Sequence, residues 1–493
     1  MRAASLLAAL ALAAGCVAGC AVGPSYAPAP VVPATAKVGQ RPYADSLRPF
    51  IDSVAAARRA DAGVANERQV RVEPPPRLAD AAWLDILDDT VLVNLIRTAV
   101  MQNRDVALAQ ARIREYRANA DAVTGALFPR VALNGTASSN QAVFGASPPV
   151  KYDALRVTAD VAWELDFWGK SRRGLDAVNA DLASQEAAGR AAVLSLVGDV
   201  ATGYLQLLEL DEEHAVAERT LASFRATLSL AQRRFAQGVV SELDVRQFEA
   251  QLAAPLARLA QVERLRVQQE HALNVLLGEA PMPIRRGGSL VAATRAVAVP
   301  DSLPASLLER RPDVAAAERA YAGATARIGV AAAARLPSLT ITGSYGTQSP
   351  AGNRLFATGT DVYTVQAGVS VPLYTGGRLR NEEAAARARA DQAKAAYERT
   401  ALTALREAGD ALVAARTTRD ETAASETQAV ALRRAFELAQ LRYQSGISSY
   451  LEVLDAERGL FNAELTLSQS RLRQLTATVQ LYKALGGSWP QPR

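Results

Sequence analysis

The sequence predicts an α+β membrane protein: a trimeric 12-stranded β-barrel with four strands per chain, continued by a long α-helical barrel and built on an internal tandem repeat. Three observations carry this reading. A single offset, 446 − 238 = 208, pairs Gly446 with Gly238 and, without a gap, Asp313 with Asp105, Pro337 with Pro129, Gly343 with Gly135, Leu373 with Leu165, Gly377 with Gly169 and Gly486 with Gly278. Self-similarity of this kind marks a duplicated structural unit. Residues 155–167 alternate apolar and polar side chains, the period of a sheet with one apolar and one wet face. Residues 377–445 run for 69 positions without proline and are dense in alanine; as one helix they would reach about 100 Å.

The N-terminus sets the compartment. Arg2 precedes an apolar run over residues 3–14, which reads as a secretory signal over 1–19 and is too short for a membrane span. The run ends Val17-Ala18-Gly19-Cys20, so cleavage is expected before Cys20, with lipid (palmitate among its acyl chains) on that cysteine. Cys16 leaves with the signal, and the mature chain has no thiol pair for an internal disulfide. Ala21, in place of an aspartate, favours the outer membrane over inner-membrane retention. Residues 20–79 read as a Pro-, Ala- and Val-rich lipidated tether with a short helix over 51–61.

Two repeats follow, 80–280 and 304–487, joined by a linker over 281–303 and closed by a tail over 488–493. Each opens with a helix: 80–126 in the first, and from Pro312-Asp313 in the second, where proline suits the first helical position and aspartate the positive end of the helix dipole. Strand pairs come next, at 131–138 and 155–167, then at 339–346 and 363–373. Thirteen residues extend for roughly 43 Å, the span of a tilted membrane strand and its rim. Asp160, Glu164 and Asp166 read as the wetted lumen wall; Trp163, Phe167 and Trp168 read as an interfacial aromatic girdle, with packing below the barrel as the alternative for Trp168. After Gly169 and Gly377 come the long helices, a tip, and return helices ending at Gly278 and Leu485-Gly486. Pro255 in the first return helix, where the second has Ala463, predicts a kink or break.

Four strands cannot close a barrel, and an open edge in lipid would leave N–H and C=O groups unpaired. A homotrimer gives twelve strands, within the range of outer-membrane barrels. The helices are too long for the membrane and are placed in the periplasm, with the tips at the far end. The charge is balanced, 55 basic against 50 acidic residues, with no basic block and only 5% aromatics, which excludes a nucleic-acid partner. Two histidines (His214 and His271, read as solvated helix positions) and two cysteines leave little for a metal site; no cofactor is expected. No nucleophile elbow, metal motif or phosphate loop points to an enzyme.

The candidate site lies at the tips. Arg442 and Tyr443 sit on the last turn of an incoming helix that Gly446 ends by adopting the left-handed conformation. Ser449 and Glu452 have capping-box spacing, and Glu452, Asp455 and Arg458 follow at three-residue steps on one face. Gly238, Ser241 and Asp244 repeat the arrangement, with Phe235 where the second copy has Tyr443. Glu452 and Asp244 read either as helix caps or as gate residues, and Asp455 with Arg458 as an exposed i, i+3 pair or as part of a gate.

The segments Cys20-Ala21-Val22-Gly23-Pro24-Ser25-Tyr26-Ala27-Pro28, Leu308-Glu309-Arg310-Arg311-Pro312-Asp313-Val314 and Tyr443-x-x-Gly446 with Leu451-Glu452-Val453-Leu454-Asp455-Ala456 resemble the outer-membrane factors, the TolC family, in the lipoprotein branch that includes OprM and NodT. Residues 41–72 are longer and more charged than that resemblance implies. The resemblance implies a trimeric outer-membrane exit duct, anchored in lipid at Cys20, docking on a periplasmic adaptor (membrane fusion protein) linked to an inner-membrane RND-type pump, and exporting small molecules such as drugs. It also implies a periplasmic gate, carried by motif onto Arg442, Tyr443, Glu452, Asp455 and Arg458, with Asp244 in the first copy. The alternatives are a type I secretion duct for peptides or proteins and a periplasmic adaptor lipoprotein.

Overall fold

The computed structural model describes residues 21–26, 37–38, 89–142, 149–294, 303–304 and 310–487. The signal, Cys20, the helix expected over 51–61, nearly all of the tether and the tail lie outside the described residues. In chain order the elements are β1 (Lys37–Val38), α1 (Thr90–Gln102), α2 (Arg104–Thr124), β2 (Arg130–Ala142), β3 (Val150–Leu165), α3 (Lys170–Ala236), α4 (Glu242–Leu277), α5 (Leu290–Ala293), β4 (Leu303–Pro304), α6 (Pro312–Ala333), β5 (Ser338–Ser349), β6 (Asp361–Ser370), α7 (Arg378–Gln444) and α8 (Tyr450–Ala484). They fall into two compact units, one of Met1–Ala29, Gln110–Ala188 and Ala315–Thr400, the other of Pro30–Ala109, Gly189–Val314 and Ala401–Arg493.

The first unit holds a four-stranded antiparallel sheet in the order β2-β3-β5-β6. Its register puts Val131, Val161, Gly343 and Val365 in one row and Leu133, Ala159, Tyr345 and Tyr363 in the next. In one chain this apolar face is bare: Leu133, Tyr345, Tyr363 and Val365 are 76%, 64%, 78% and 76% exposed. The opposite face is polar and bonded across strands, Asn134 donating to Asp160 at 2.5 Å and Arg156 to Ser344 at 3.2 Å. Strands β2 and β5 outrun the expected spans, while β3 stops at Leu165 and β6 at Ser370. Beyond β3 the chain turns to start α3, and Asp166 accepts the Arg172 N–H at 2.9 Å at the head of that helix. Trp168 is partly exposed and donates to the Pro337 carbonyl at 2.7 Å.

The same unit binds the start of the described chain. The Val22 N–H donates to the Trp168 carbonyl at 3.0 Å, the Tyr26 hydroxyl to Glu318 at 3.1 Å, and Gly23 lies so close to Gly329 that a Cβ has no room.

In the second unit, Val200, Tyr204, Leu207, Leu273, Leu277 and Tyr482 form the core with α1, and β1 pairs antiparallel with β4. One stretch of α3 is long and apolar enough to cross a membrane, but more than half of it is buried inside the chain. The expected first helix is divided. Asn103 stops α1 and caps α2, its Oδ1 accepting from Asp105 N at 2.8 Å and Val106 N at 3.0 Å, while its Nδ2 donates to the Leu276 carbonyl at 2.9 Å. Of the kink or break expected at Pro255, the break does not occur: α4 runs through the proline as one helix.

The repeat is physical as well as sequential. Adding 208 converts the Asn103–Leu276 bond into Arg311–Ala484, and Arg311 donates to the Ala484 carbonyl at 3.4 Å. It also converts the approach of Gly278 to the Gln102 carbonyl into that of Gly486 to the Arg310 carbonyl. Both glycines have positive φ, 75° and 84°, and a Cβ on either would press on backbone, so the return helices end where a side chain is excluded twice over.

Candidate functional site

Each tip is a tight helix–helix turn. Gly238 and Gly446 have φ of 73° and 72°. The N–H groups of Gly238 and Val239 donate to the Phe235 and Arg234 carbonyls, both at 2.9 Å; those of Gly446 and Ile447 donate to Tyr443 at 3.1 Å and Arg442 at 2.9 Å. These bonds satisfy carbonyls that the ending helix would otherwise leave orphaned.

Past the turn the copies diverge. Ser241 caps α4 in a complete capping box, its hydroxyl accepting from Asp244 N at 3.3 Å while Asp244 accepts from Ser241 N at 3.0 Å. Asp244 is therefore a helix cap. The same box is expected at Ser449–Glu452, but Ser449 makes no side-chain cap bond. Glu452 turns instead toward Arg442, 3.6 Å away across the turn, both half exposed. Such a pair contributes a few tenths of a kcal/mol at most.

The two tips share one core: Phe224 and Ala231 of α3, Phe248 of α4, Ala439 and Tyr443 of α7, and Tyr450, Val453 and Leu454 of α8. Arg234 lies over the Tyr443 ring, its guanidinium carbon 4.5 Å from the centroid. Tyr443 and Tyr450 meet edge to face with centroids 5.9 Å apart. The Tyr443 hydroxyl is buried and has no hydrogen-bond partner, so within the chain Tyr443 holds the tips by packing.

Asp455 and Arg458 do lie on one exposed face. With Glu452 they line an open groove over Leu432, Ala435, Ala439, Gly459 and Asn462, and among the described residues neither charge has a bonded partner.

Two features were not anticipated from the sequence. Val239 and Leu243, with their repeat partners Ile447 and Leu451, are 66%, 65%, 71% and 65% exposed, an apolar quartet on the outer rim of the turns. Their signal was present: large apolar residues flanking each turn glycine, at matching places in both copies. The second is Glu457, 3% exposed, whose two carboxylate oxygens are buried without a hydrogen-bond partner. Burial pushes its carboxyl up to about 7. Burial, then the nearby Glu457 charge, also raises the Tyr450 phenol above its ordinary value. Away from the tip, His214 is part-buried between Glu218 at 3.5 Å and Glu263 at 3.9 Å, less solvated than expected, whereas His271 is exposed.

The family model for outer membrane efflux proteins matches residues 95–279 and again 303–487. The two matches start 303 − 95 = 208 residues apart, the offset of the repeat. The solvent efflux pump outer membrane protein SrpC of Pseudomonas putida is 36% identical over 419 residues, 82% of this chain and 87% of SrpC. The toluene efflux pump outer membrane protein TtgC, also of Pseudomonas putida, is 33% identical over 417 residues, 83% of this chain and 86% of TtgC. The open-state structure of the Neisseria gonorrhoeae MtrE outer membrane channel is similar with a TM-score of 0.80 and 28% identity, over 95% of this chain and 98% of MtrE. A duplicated chain, a sheet bare on its apolar face and helical hairpins closed by glycine turns thus meet in one known family, and the chain belongs to the outer membrane efflux proteins.

Proposed function

We propose that three copies of this chain form an outer-membrane exit duct, anchored in lipid through Cys20, which docks its tips on a periplasmic adaptor served by an inner-membrane RND-type pump. The observation that carries the reading is the sheet: an apolar face bare in one chain, with β2 and β6 as open edges. In lipid those edges must be paired, and copies of the same chain are the simplest source of strands. The apolar quartet at the tips suits an adaptor's helices, since exposed repeat-related apolar residues mark an interaction surface. Arg442, Glu452, Asp455 and Arg458 act as gate charges on the exposed faces, with Tyr443 packing the tip and Asp244 capping it. The names of SrpC and TtgC support small apolar molecules, solvents and toluene among them, as cargo.

The repeat specifies the seam between copies. Within the chain, Ala159 of β3 pairs with Tyr345 of β5. Shifting each by 208, forward and back, pairs Ala367 of β6 with Ala137 of β2 in the next copy. These two positions lie on opposite edges of one sheet, so a bond between them can form only between chains. A protein carrying Ala137→Cys and Ala367→Cys should run as covalent trimers on a denaturing gel after mild oxidation, while each single variant should not. Double-cysteine protein that stays monomeric, although folded in outer membranes, would refute the trimer.

A further inference from the structure

We propose that Glu457 is a proton-binding site in the core of the hairpin tips: with its proton on, the two tips pack together, and release of that proton to solvent loosens them. This rests on the channel reading above and names a control acting at the same tips.

The repeat shows why the group is unusual. Its partner 208 residues earlier is Glu249, a part-exposed residue whose carboxylate receives Arg246 at 2.8 Å. Arg246 in turn reaches Glu242 at 3.2 Å. The second copy replaces Glu242 and Arg246 with Tyr450 and Leu454, both buried, and keeps only the acid. The carboxyl has been moved from an exposed ion-pair chain into an apolar core without its counter-ion.

The elements around it supply no substitute. From α3, the Ser223 hydroxyl lies near enough to favour the charged form but outside hydrogen-bond geometry, and Arg234 is turned onto the ring and carbonyl of Tyr443. From α4, Asp244 is held by Ser241. From α7 comes Tyr443, and from α8 itself Tyr450, both with buried, unpartnered hydroxyls. Arg442 is drawn to Glu452 and Arg219 to Glu212 and Glu464. A neighbouring copy cannot provide the missing partner, because both carboxylate oxygens are already closed off within one chain. A buried charge without partner is costly, so the packed tip favours the neutral acid.

Linkage fixes the direction. Packed, the acid keeps its proton up to about pH 7; in a loosened, wetted tip it would release it near the ordinary 4.5. Packing is therefore favoured most below 4.5, weakens as the pH rises through that window and levels off above about 7. A more alkaline periplasm would open the tips and a more acid one would hold them shut.

The test uses the full-length protein, wild type and Glu457→Gln, in detergent and in planar bilayers without an adaptor. Infrared difference spectra between pH 5 and pH 8 should show a carboxylic-acid band in wild type that fades with rising pH and is missing from Glu457→Gln. Over the same range wild-type open probability should rise by at least about tenfold, and that of Glu457→Gln should stay flat. The proposal is overturned if no such band titrates, or if both proteins open with the same pH dependence. It is also overturned if Glu457→Gln fails to assemble, because the neutral amide copies the shape of the protonated acid. Failure of the seam cysteines to cross-link would count against the trimeric channel alone, since the infrared band is read from any folded tip.

Discussion

Asp455 and Arg458 stand on the open side of α8 with no bonded partner among the described residues, while Tyr443, across the turn, is sealed in the core. Substitutions should separate the two kinds of residue. Tyr443→Phe removes a hydroxyl that has no partner, so it should leave conductance unchanged and stability unchanged or slightly higher. Asp455→Ala combined with Arg458→Ser removes charges free to meet a neighbouring copy, and should raise single-channel conductance in planar bilayers. Wild-type conductance from a correctly assembled double variant would return both residues to ordinary surface charges. The spacing of such residues was readable in the sequence, but their partners were not. Ser241 and Ser449 head the same motif, yet only Ser241 forms the box. The reason sits on the incoming helix: Arg234 is occupied by Tyr443, leaving Asp244 to its cap, whereas Arg442 draws Glu452 away.

At the scale of elements, the junctions near Asn103 and Arg311 do the same work with different chemistry. Asn103 satisfies two N–H groups of α2 and one carbonyl of α4 through a neutral amide. Asn103→Ala should cost about 2 kcal/mol, one cap plus one stranded carbonyl, and speed hydrogen exchange at Asp105 and Val106 by roughly thirtyfold. Unchanged exchange there would mean that the α1–α2 break is held by packing alone. Arg311 instead binds Asp313 at 2.7 Å and Glu407 at 2.6 Å as well as the α8 end. Burial would raise the Asp313 carboxyl, but the Arg311 bonds prevail and hold it below its ordinary 3.8. That contribution is intact above 3.8 and is lost only as the pH falls through the lower folded value, so this junction weakens in acid while the tip weakens in alkali. The sequence showed helices by their lack of proline and their alanine content. It did not show the stop at Asn103, because an asparagine inside a helical pattern becomes a cap only when another element, here the end of α4, takes its amide. Pro255, which is buried, does not end α4, so the proline alone did not show whether the helix would stop there.

For the whole molecule, what was legible followed from periodicity. Alternation over residues 155–167 gave β3 its apolar face, and the 208-residue offset gave the second hairpin of the sheet without separate evidence. Which hairpin lies beside which was not readable, because pairing across the repeats depends on backbone groups that every residue carries alike. The order β2-β3-β5-β6 resolves it by placing one strand of each repeat on an edge.

Those edges differ from each other, β2 on one side and β6 on the other, so a ring of copies closes head to tail and every copy takes part in two seams. Genetics should feel this geometry. A chain with Val365→Pro in β6 would break one seam of any ring it enters, since a strand flanked on both sides cannot spare the N–H. Made in equal amounts with wild type and mixed at random, such chains would leave about one ring in eight free of the defect. The allele should therefore behave as dominant, cutting export far below half, and a merely halved activity on co-expression would show that defective chains are sorted out before the ring closes.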